Sequence, residues 1–172
     1  MPPTRTRVGV IGVGALGRDG IRLLPSTELL ADHMATAGVM SARKPSRDER
    51  ADVDYGQKVA RALAGHDIGQ TVVVKDRAAV AVEAMEGTDE VIRRAGRIAG
   101  PGTVVVKVAK PRQDMRFDVP VVGADTLAVM QEAGARLLAV EAGRTLILDR
   151  PAFLAAADQA GLVVWGMPDE RA

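Results

Sequence analysis

The 172-residue chain contains no cysteine. Disulfides, thiolate metal sites, cysteine nucleophiles and iron–sulfur clusters are therefore excluded. Histidine and serine are almost as scarce: His33 and His66 are the only imidazoles, and Ser26, Ser41 and Ser46 the only serines. A zinc site of ordinary design, or a Ser-His-Asp triad, has nothing else to draw on. Both histidines fall near helix ends with no second ligand at a binding spacing, and neither is assigned a role. Metal chemistry further along the chain must use carboxylate and carbonyl oxygens, which suit Mg²⁺ or Mn²⁺. Aromatics number only four (Tyr55, Phe117, Phe153, Trp165), and 23 Lys+Arg against 22 Asp+Glu leave a net charge of +1. With no basic excess to neutralise phosphates and little to stack bases on, nucleic acid is not an expected partner. No apolar run approaches the roughly 18 to 20 residues that span a bilayer. The amino terminus has no Ala-x-Ala-like cleavage site, so the expected location is the cytoplasm.

What is present is the profile of a soluble globular chain, 47% hydrophobic and 26% charged, with one core expected. Residues 7–13 form a β-branched run ending in Gly12-Val13-Gly14-Ala15-Leu16-Gly17, formally a dinucleotide-binding turn. The mechanism behind that fingerprint needs a helix, a second strand and an acidic residue about 20 positions on. Gly20 and Pro25 leave room for barely two helical turns, and Thr27 to Ala37, which contains Asp32, reads as helix. The glycines therefore mark a plain strand-turn-helix. Ser46 and Glu49 form a capping box that opens a helix running to Ala64, stopped by Gly65. Gln70–Lys75 and Ala79–Ala84 read as a hairpin around Asp76-Arg77-Ala78, with Val80 and Val82 sharing one face. Thr88 is the expected N-cap of a helix to about Ile98, and Thr103–Ala109 a strand. Asp125 caps a helix to Gly134, Leu137–Ala142 and Thr145–Leu148 are strands, Pro151 opens the last helix, and Leu162–Gly166 is the last strand. Alternating helices and strands indicate an α/β fold, and the hairpins make its sheet mixed: a single compact domain with flanking helices.

The chemically dense stretch is Lys107-Val-Ala-Lys110-Pro111-Arg112-Gln113-Asp114-Met115-Arg116-Phe117-Asp118-Val119-Pro120, at the end of a hydrophobic strand. If residues 114–118 are extended, Asp114, Arg116 and Asp118 share a face. That pattern suits an edge strand with a solvated charged face. It equally supplies both halves of a phosphate site, with cations for anionic oxygens and carboxylates for a divalent metal. Glu83, Glu86 and Asp89 surround the Gly87-Thr88 turn, where helix-start N–H groups favour an anion, and Glu141 ends a strand before Gly143-Arg144.

These residues carry a resemblance. Asp52-Val53-x-x-Gly56, Asp67-Ile68-Gly69-Gln70, Val82-Glu83-Ala84-x-Glu86-Gly87-Thr88-Asp89, Lys107-x-x-Lys110-Pro111-x-Gln113-Asp114-x-Arg116-x-Asp118-x-Pro120 and Val140-Glu141-Ala142-Gly143-x-Thr145 occur in one order. Together they resemble the carboxy-terminal domain of the LpxI family of UDP-2,3-diacylglucosamine pyrophosphatases. The likeness runs over residues 24–168, with residues 1–23 as a short strand-turn remnant and 169–172 as a tail.

The resemblance implies a step of bacterial lipid A synthesis: Mg²⁺-assisted (or Mn²⁺-assisted) hydrolysis of UDP-2,3-diacylglucosamine to UMP and 2,3-diacylglucosamine 1-phosphate, by attack of water on the β-phosphorus. It implies Asp114, Asp118 and Lys110 as catalytic groups, with Asp114, Glu86 and Asp89 as metal carboxylates. Lys107, Arg116, Gln70, Thr88 and Glu141 would then bind substrate. Membrane contact is expected only peripherally, through the lipid substrate, because no strongly basic amphipathic helix is visible. Two departures bear on these expectations. Arg112 stands where the family motif has glycine, and the chain lacks most of the family's amino-terminal domain of about 130 residues, a size typical of one domain. A homodimer or a separately encoded amino-terminal domain is therefore an expected partner. The alternative functions are a half-enzyme, a non-catalytic nucleotide-lipid binding or regulatory module and, last, a dinucleotide-binding protein.

Overall fold

A computed structural model describes residues 30–111, 113–115 and 118–168. The glycine fingerprint at 12–17, Arg112, Arg116 and Phe117 lie outside the described residues.

Among the described residues a six-stranded mixed sheet forms the centre, with strands 38–39, 163–167, 137–141, 104–107, 71–75 and 78–82 side by side in that order. Its strands are β1 (Gly38–Val39), β2 (Thr71–Lys75), β3 (Ala78–Val82), β4 (Val104–Lys107), β6 (Leu137–Glu141) and β8 (Val163–Met167); β5 (Val121–Val122) and β7 (Leu146–Ile147) make a separate parallel pair. The helices are α1 (Arg47–Gly65), α2 (Thr88–Ala99), α3 (Ala124–Glu132) and α4 (Arg150–Gln159). Strands β4, β6 and β8 run parallel, whereas β2 is antiparallel to β4, β3 to β2 and β1 to β8.

The central strands are buried on both sides, and their period-2 alternation divides the core into two. Val73, Val105, Leu138, Val140 and Val164 face α2, α3 and α4, meeting Val91, Ile92, Leu127, Met130 and Phe153. Val72, Val74, Val104, Val106, Leu137, Ala139 and Val163 face α1, meeting Val53, Ala60 and Ala64. Each fully buried valine contributes on the order of 1.5–3 kcal/mol from apolar burial. The carboxyl ends of β4, β6 and β8 lie together at one end of the sheet. In open α/β sheets that end is where ligands bind.

The mixed α/β architecture and the capping box agree with the sequence reading. Ser46 Oγ accepts from Glu49 N at 3.1 Å, and Glu49 Oε2 accepts from Ser46 N at 2.8 Å. Burial raises the Glu49 pKa, but the bonds from Arg43 and Ser46 outweigh it and hold the carboxyl below its ordinary value.

Five local readings are corrected. The described part of Thr27–Ala37 contains a single 3₁₀ turn, Ala31–His33, and then extends. Met34 bridges to Leu146 and Ala35 N–H donates to Thr145 O at 2.9 Å, so long-range pairing overrides local helix propensity. Val80 and Val82 do not share a face. The ladder register shifts between Val73 and Val74, so Val80 packs with Ala81 against the α2 side and Val82 against the α1 side. Gly87, not Thr88, is the N-cap of α2, and Gly123, not Asp125, that of α3. Asp114 and Asp118 are not alternate members of one extended face: Asp118 N–H donates to Asp114 O at 2.9 Å, a bond that a strand does not make with itself.

Candidate functional site

A cleft of about 440 Å³ opens beside the carboxyl end of β4. It is lined by Glu86, Gly87, Thr88, Asp89 and Glu90 from the start of α2, by Lys107, by Gly123, Asp125 and Thr126 from the start of α3, and by Val121, Val122 and Leu148. The β5–β7 pairing brings Leu148 there, since Leu148 N–H donates to Val122 O at 2.9 Å. Two helix amino termini thus border one cleft, and neither N-cap residue contributes a side-chain hydrogen bond. Their free N–H groups and aligned peptide dipoles favour negative charge.

Among the described residues Lys107 is the cation that lines this cleft, and it is only 6% exposed. Its Nζ donates to Thr88 Oγ1 at 2.8 Å, and the Thr88 hydroxyl in turn donates to Glu83 Oε1 at 3.0 Å. Thr71 Oγ1 lies 3.3 Å from the same hydroxyl, and Glu83 Oε2 accepts from Gln70 N at 3.2 Å. Register explains the grouping: Thr71 pairs directly with Lys107 across β2 and β4, on the α2 side of the sheet. Desolvation lowers the Lys107 pKa, opposed by the negative charges of Glu83 and Asp89. Because Thr88 is engaged by Lys107 and Glu83, its hydroxyl serves this network rather than capping α2.

Of the residues the sequence nominated, Lys107, Thr88, Glu86 and Asp89 meet at the cleft. Gln70 lies beneath it, bonded to Glu83, and its side-chain oxygen is buried without a partner among the described residues. Lys110 points to another carboxylate, with Nζ 2.5 Å from Asp67 Oδ1. That bond raises the Lys110 pKa and lowers that of Asp67. Asp114 and Asp118, further along, are exposed. Glu141 is fully buried at the end of β6 and does not line the cleft. Arg116 lies outside the described residues. Asp125 and Thr126 join the site unforeseen. Their pattern signalled only a helix start, and the proximity of the two helix starts is a tertiary fact.

Among the described residues no three His, Cys, Asp or Glu side chains gather to hold a metal ion. Glu86 is committed elsewhere, its Oε1 2.5 Å from Arg94 Nη2 and its Oε2 accepting from Ala84 N at 2.9 Å. Its pKa is lowered by its own backbone N–H first, then by Arg94 and Ala84. Glu90 is likewise paired, its Oε1 accepting from Arg93 Nη1 at 2.7 Å, which leaves Asp89 and Asp125 as oxygen donors lining the cleft. Mg²⁺ ordinarily takes one or two carboxylates together with substrate phosphate oxygens and water. The donor set therefore fits a cation shared with a bound phosphate.

Among the described residues no helix is long and apolar enough to cross a membrane. In comparison with known proteins, the chain is 36% identical over 163 residues to UDP-2,3-diacylglucosamine pyrophosphatase LpxI of Caulobacter vibrioides. That alignment takes in 90% of this chain and 58% of the relative, so the chain spans little more than half the length of the protein it matches. Residues 36–165, containing every element from β1 to the middle of β8, match the LpxI C-terminal domain. The chain belongs to the LpxI C-terminal domain family.

Proposed function

We propose that this domain hydrolyses the diphosphate of UDP-2,3-diacylglucosamine to UMP and 2,3-diacylglucosamine 1-phosphate, a step of lipid A synthesis. The observation that carries this reading is the cleft itself: a buried lysine and two uncapped helix amino termini directed at one volume, with Asp89 and Asp125 on its wall. Such a site is complementary to a diphosphate, whose charge it neutralises with preorganised donors. Family membership supplies the substrate class.

In this account Lys107 and the helix N–H groups hold the phosphoryl oxygens and stabilise charge that develops there. Lys110, Asp114 and Asp118 belong to the segment that follows β4 and supply a cation and carboxylates to the reacting end, and the sequence motif adds Arg116 to them. Asp114 orients the attacking water towards the β-phosphorus. Mg²⁺ or Mn²⁺, when bound, supplies Lewis-acid polarisation of phosphoryl oxygens, and Asp89 and Asp125 are the residues that would hold it. Membrane contact is peripheral and comes through the lipid substrate, with the chemistry on the cytoplasmic side.

A second reading rests on the 58% coverage of the relative. In that reading the chain is a half-enzyme or nucleotide-lipid binding module that needs an amino-terminal domain or a second copy to turn over. Incubation of the chain with UDP-2,3-diacylglucosamine, in Mg²⁺ and in EDTA, with chromatographic detection of UMP, separates the two. Metal-dependent release supports the hydrolase, whereas saturable binding without release supports the module.

A further inference from the structure

Glu141 is the last residue of β6, and its side chain is 0% exposed. A carboxylate in that position is unfavourable unless cations and hydrogen bonds replace its water. Among the described residues, three separate parts of the chain do so. Arg61 Nη2 of α1 lies 3.5 Å from Oε1, Arg144 Nε on the turn after β6 lies 3.8 Å from Oε2, and the N–H of Ala109 donates to Oε2 at 2.9 Å.

The Ala109 bond is the informative one. Strand β4 ends at Lys107, and Ala109, itself only 2% exposed, lies beyond it. A buried N–H there needs an acceptor from elsewhere in the fold. Val108 N–H finds Gln70 O at 2.9 Å, Ala109 N–H finds Glu141, and Lys110 N–H finds Gln113 Oε1 at 2.8 Å. The first two fasten the departing chain to the start of β2 and the end of β6; the third closes a local turn. Glu141 alternates with Val140 and so faces the α1 side of the sheet, whereas Lys107 alternates with Val106 and faces the α2 side. Among the described residues, Glu141 therefore reaches the segment that follows β4 through the backbone N–H of Ala109.

We propose that Glu141 is a positioning residue, a buried carboxylate that fixes through the Ala109 N–H the point at which the Lys107–Asp118 segment leaves the sheet. It sets the aim of Lys110 and Asp114 without touching substrate. Its role in turnover rests on the hydrolase reading; its role in fastening the segment does not.

The test compares the wild type with Glu141→Ala and Glu141→Gln. Amide hydrogen exchange at Ala109 is read by NMR against core amides of Val105 and Val106, and UMP release is resolved into kcat and KM. In the alanine variant, exchange at Ala109 is expected to accelerate roughly tenfold to a hundredfold, the change for losing a hydrogen bond to a charged acceptor. Core amides stay protected and kcat falls at near-constant KM. Glutamine keeps an acceptor oxygen and restores part of both. Should the alanine variant fail to fold, the glutamine variant carries the test, with an intermediate loss in the same two readouts. Unchanged Ala109 exchange in a folded variant overturns the proposal, as does a raised KM at constant kcat, which makes Glu141 a substrate ligand. If the wild type releases no UMP, the exchange measurement still decides the fastening while the hydrolase reading alone fails.

Discussion

Lys107 Nζ sits 2.8 Å from the hydroxyl of Thr88, so the end of β4 is tied to the first turn of α2 by one hydrogen bond inside the cleft. The lysine is thereby desolvated yet held at the cleft wall, the arrangement that makes a cation most effective towards an anion.

A pH dependence follows. Desolvation lowers the folded-state pKa of Lys107, against the opposing pull of Glu83 and Asp89. Between that value and the ordinary lysine value the unfolded chain holds more protons, so this group adds stability as pH rises across the window and withdraws it as pH falls. Anion affinity runs the other way, because only the ammonium binds. Calorimetric titration with UDP is expected to show affinity declining on the alkaline side, starting below the ordinary lysine range. Lys107→Met is expected to be weaker by roughly tenfold to a hundredfold, the order of a charge-assisted bond, and to lose that alkaline limb.

The Asp67–Lys110 pair gives a second prediction. Its Nζ–Oδ1 distance is 2.5 Å, with side-chain exposures of 34% for Lys110 and 79% for Asp67, so solvent screens it. Asp67 is held below its ordinary pKa, so its contribution is present above the usual aspartate range and lost only as pH falls through the lowered value. Because solvent screens the pair, Asp67→Asn is expected to lower the urea midpoint at pH 7 only slightly. It is expected to return the Lys110 titration, followed by NMR, towards the ordinary lysine value and to tighten UDP binding by freeing the ammonium. Weaker binding would show that Asp67 holds Lys110 in its working position.

Asp52 supplies a stability prediction. Its buried carboxylate accepts from Arg77 N at 2.6 Å and from Asp76 N at 3.3 Å. It thus holds the β2–β3 turn, in which both Asp76 and Arg77 have positive φ. Asp52→Ala leaves those donors without their acceptor and is expected to cost about 1–3 kcal/mol in denaturant unfolding. An undiminished midpoint would mean that the turn holds itself.

Much of the fold was legible because local chemistry and tertiary demand coincide. The Ser46-Glu49 capping box, the hairpin around Asp76-Arg77 and the valine runs each state their structure within a few residues. Thr27–Ala37 failed because its pairing partners, Thr145 and Leu146, lie more than a hundred residues away. The motif spacing brought Lys107, Thr88, Glu86 and Asp89 to one cleft, but it did not separate chemistry from architecture. Gly56 permits close approach of α1, since a Cβ there would meet Val106 Cγ2 at 2.7 Å. Gly69 does the same beside Glu83, whose carbonyl oxygen would be 2.0 Å from an added Cβ. Both belong to the motifs for packing reasons that no linear spacing reveals. Asp125 shows the converse, a cleft residue whose local signal was only that of a helix start.

UMP release from UDP-2,3-diacylglucosamine by the chain alone, with Mg²⁺ and with EDTA, tests the diphosphate cleft most sharply when wild type, Lys107→Met and Asp114→Asn are measured side by side. The predicted result is metal-dependent release by the wild type and its loss in Asp114→Asn. In Lys107→Met release is expected to drop roughly tenfold to a hundredfold, with each variant folded by circular dichroism. Release that persists undiminished in folded Lys107→Met would contradict the assignment of this cleft as the diphosphate site.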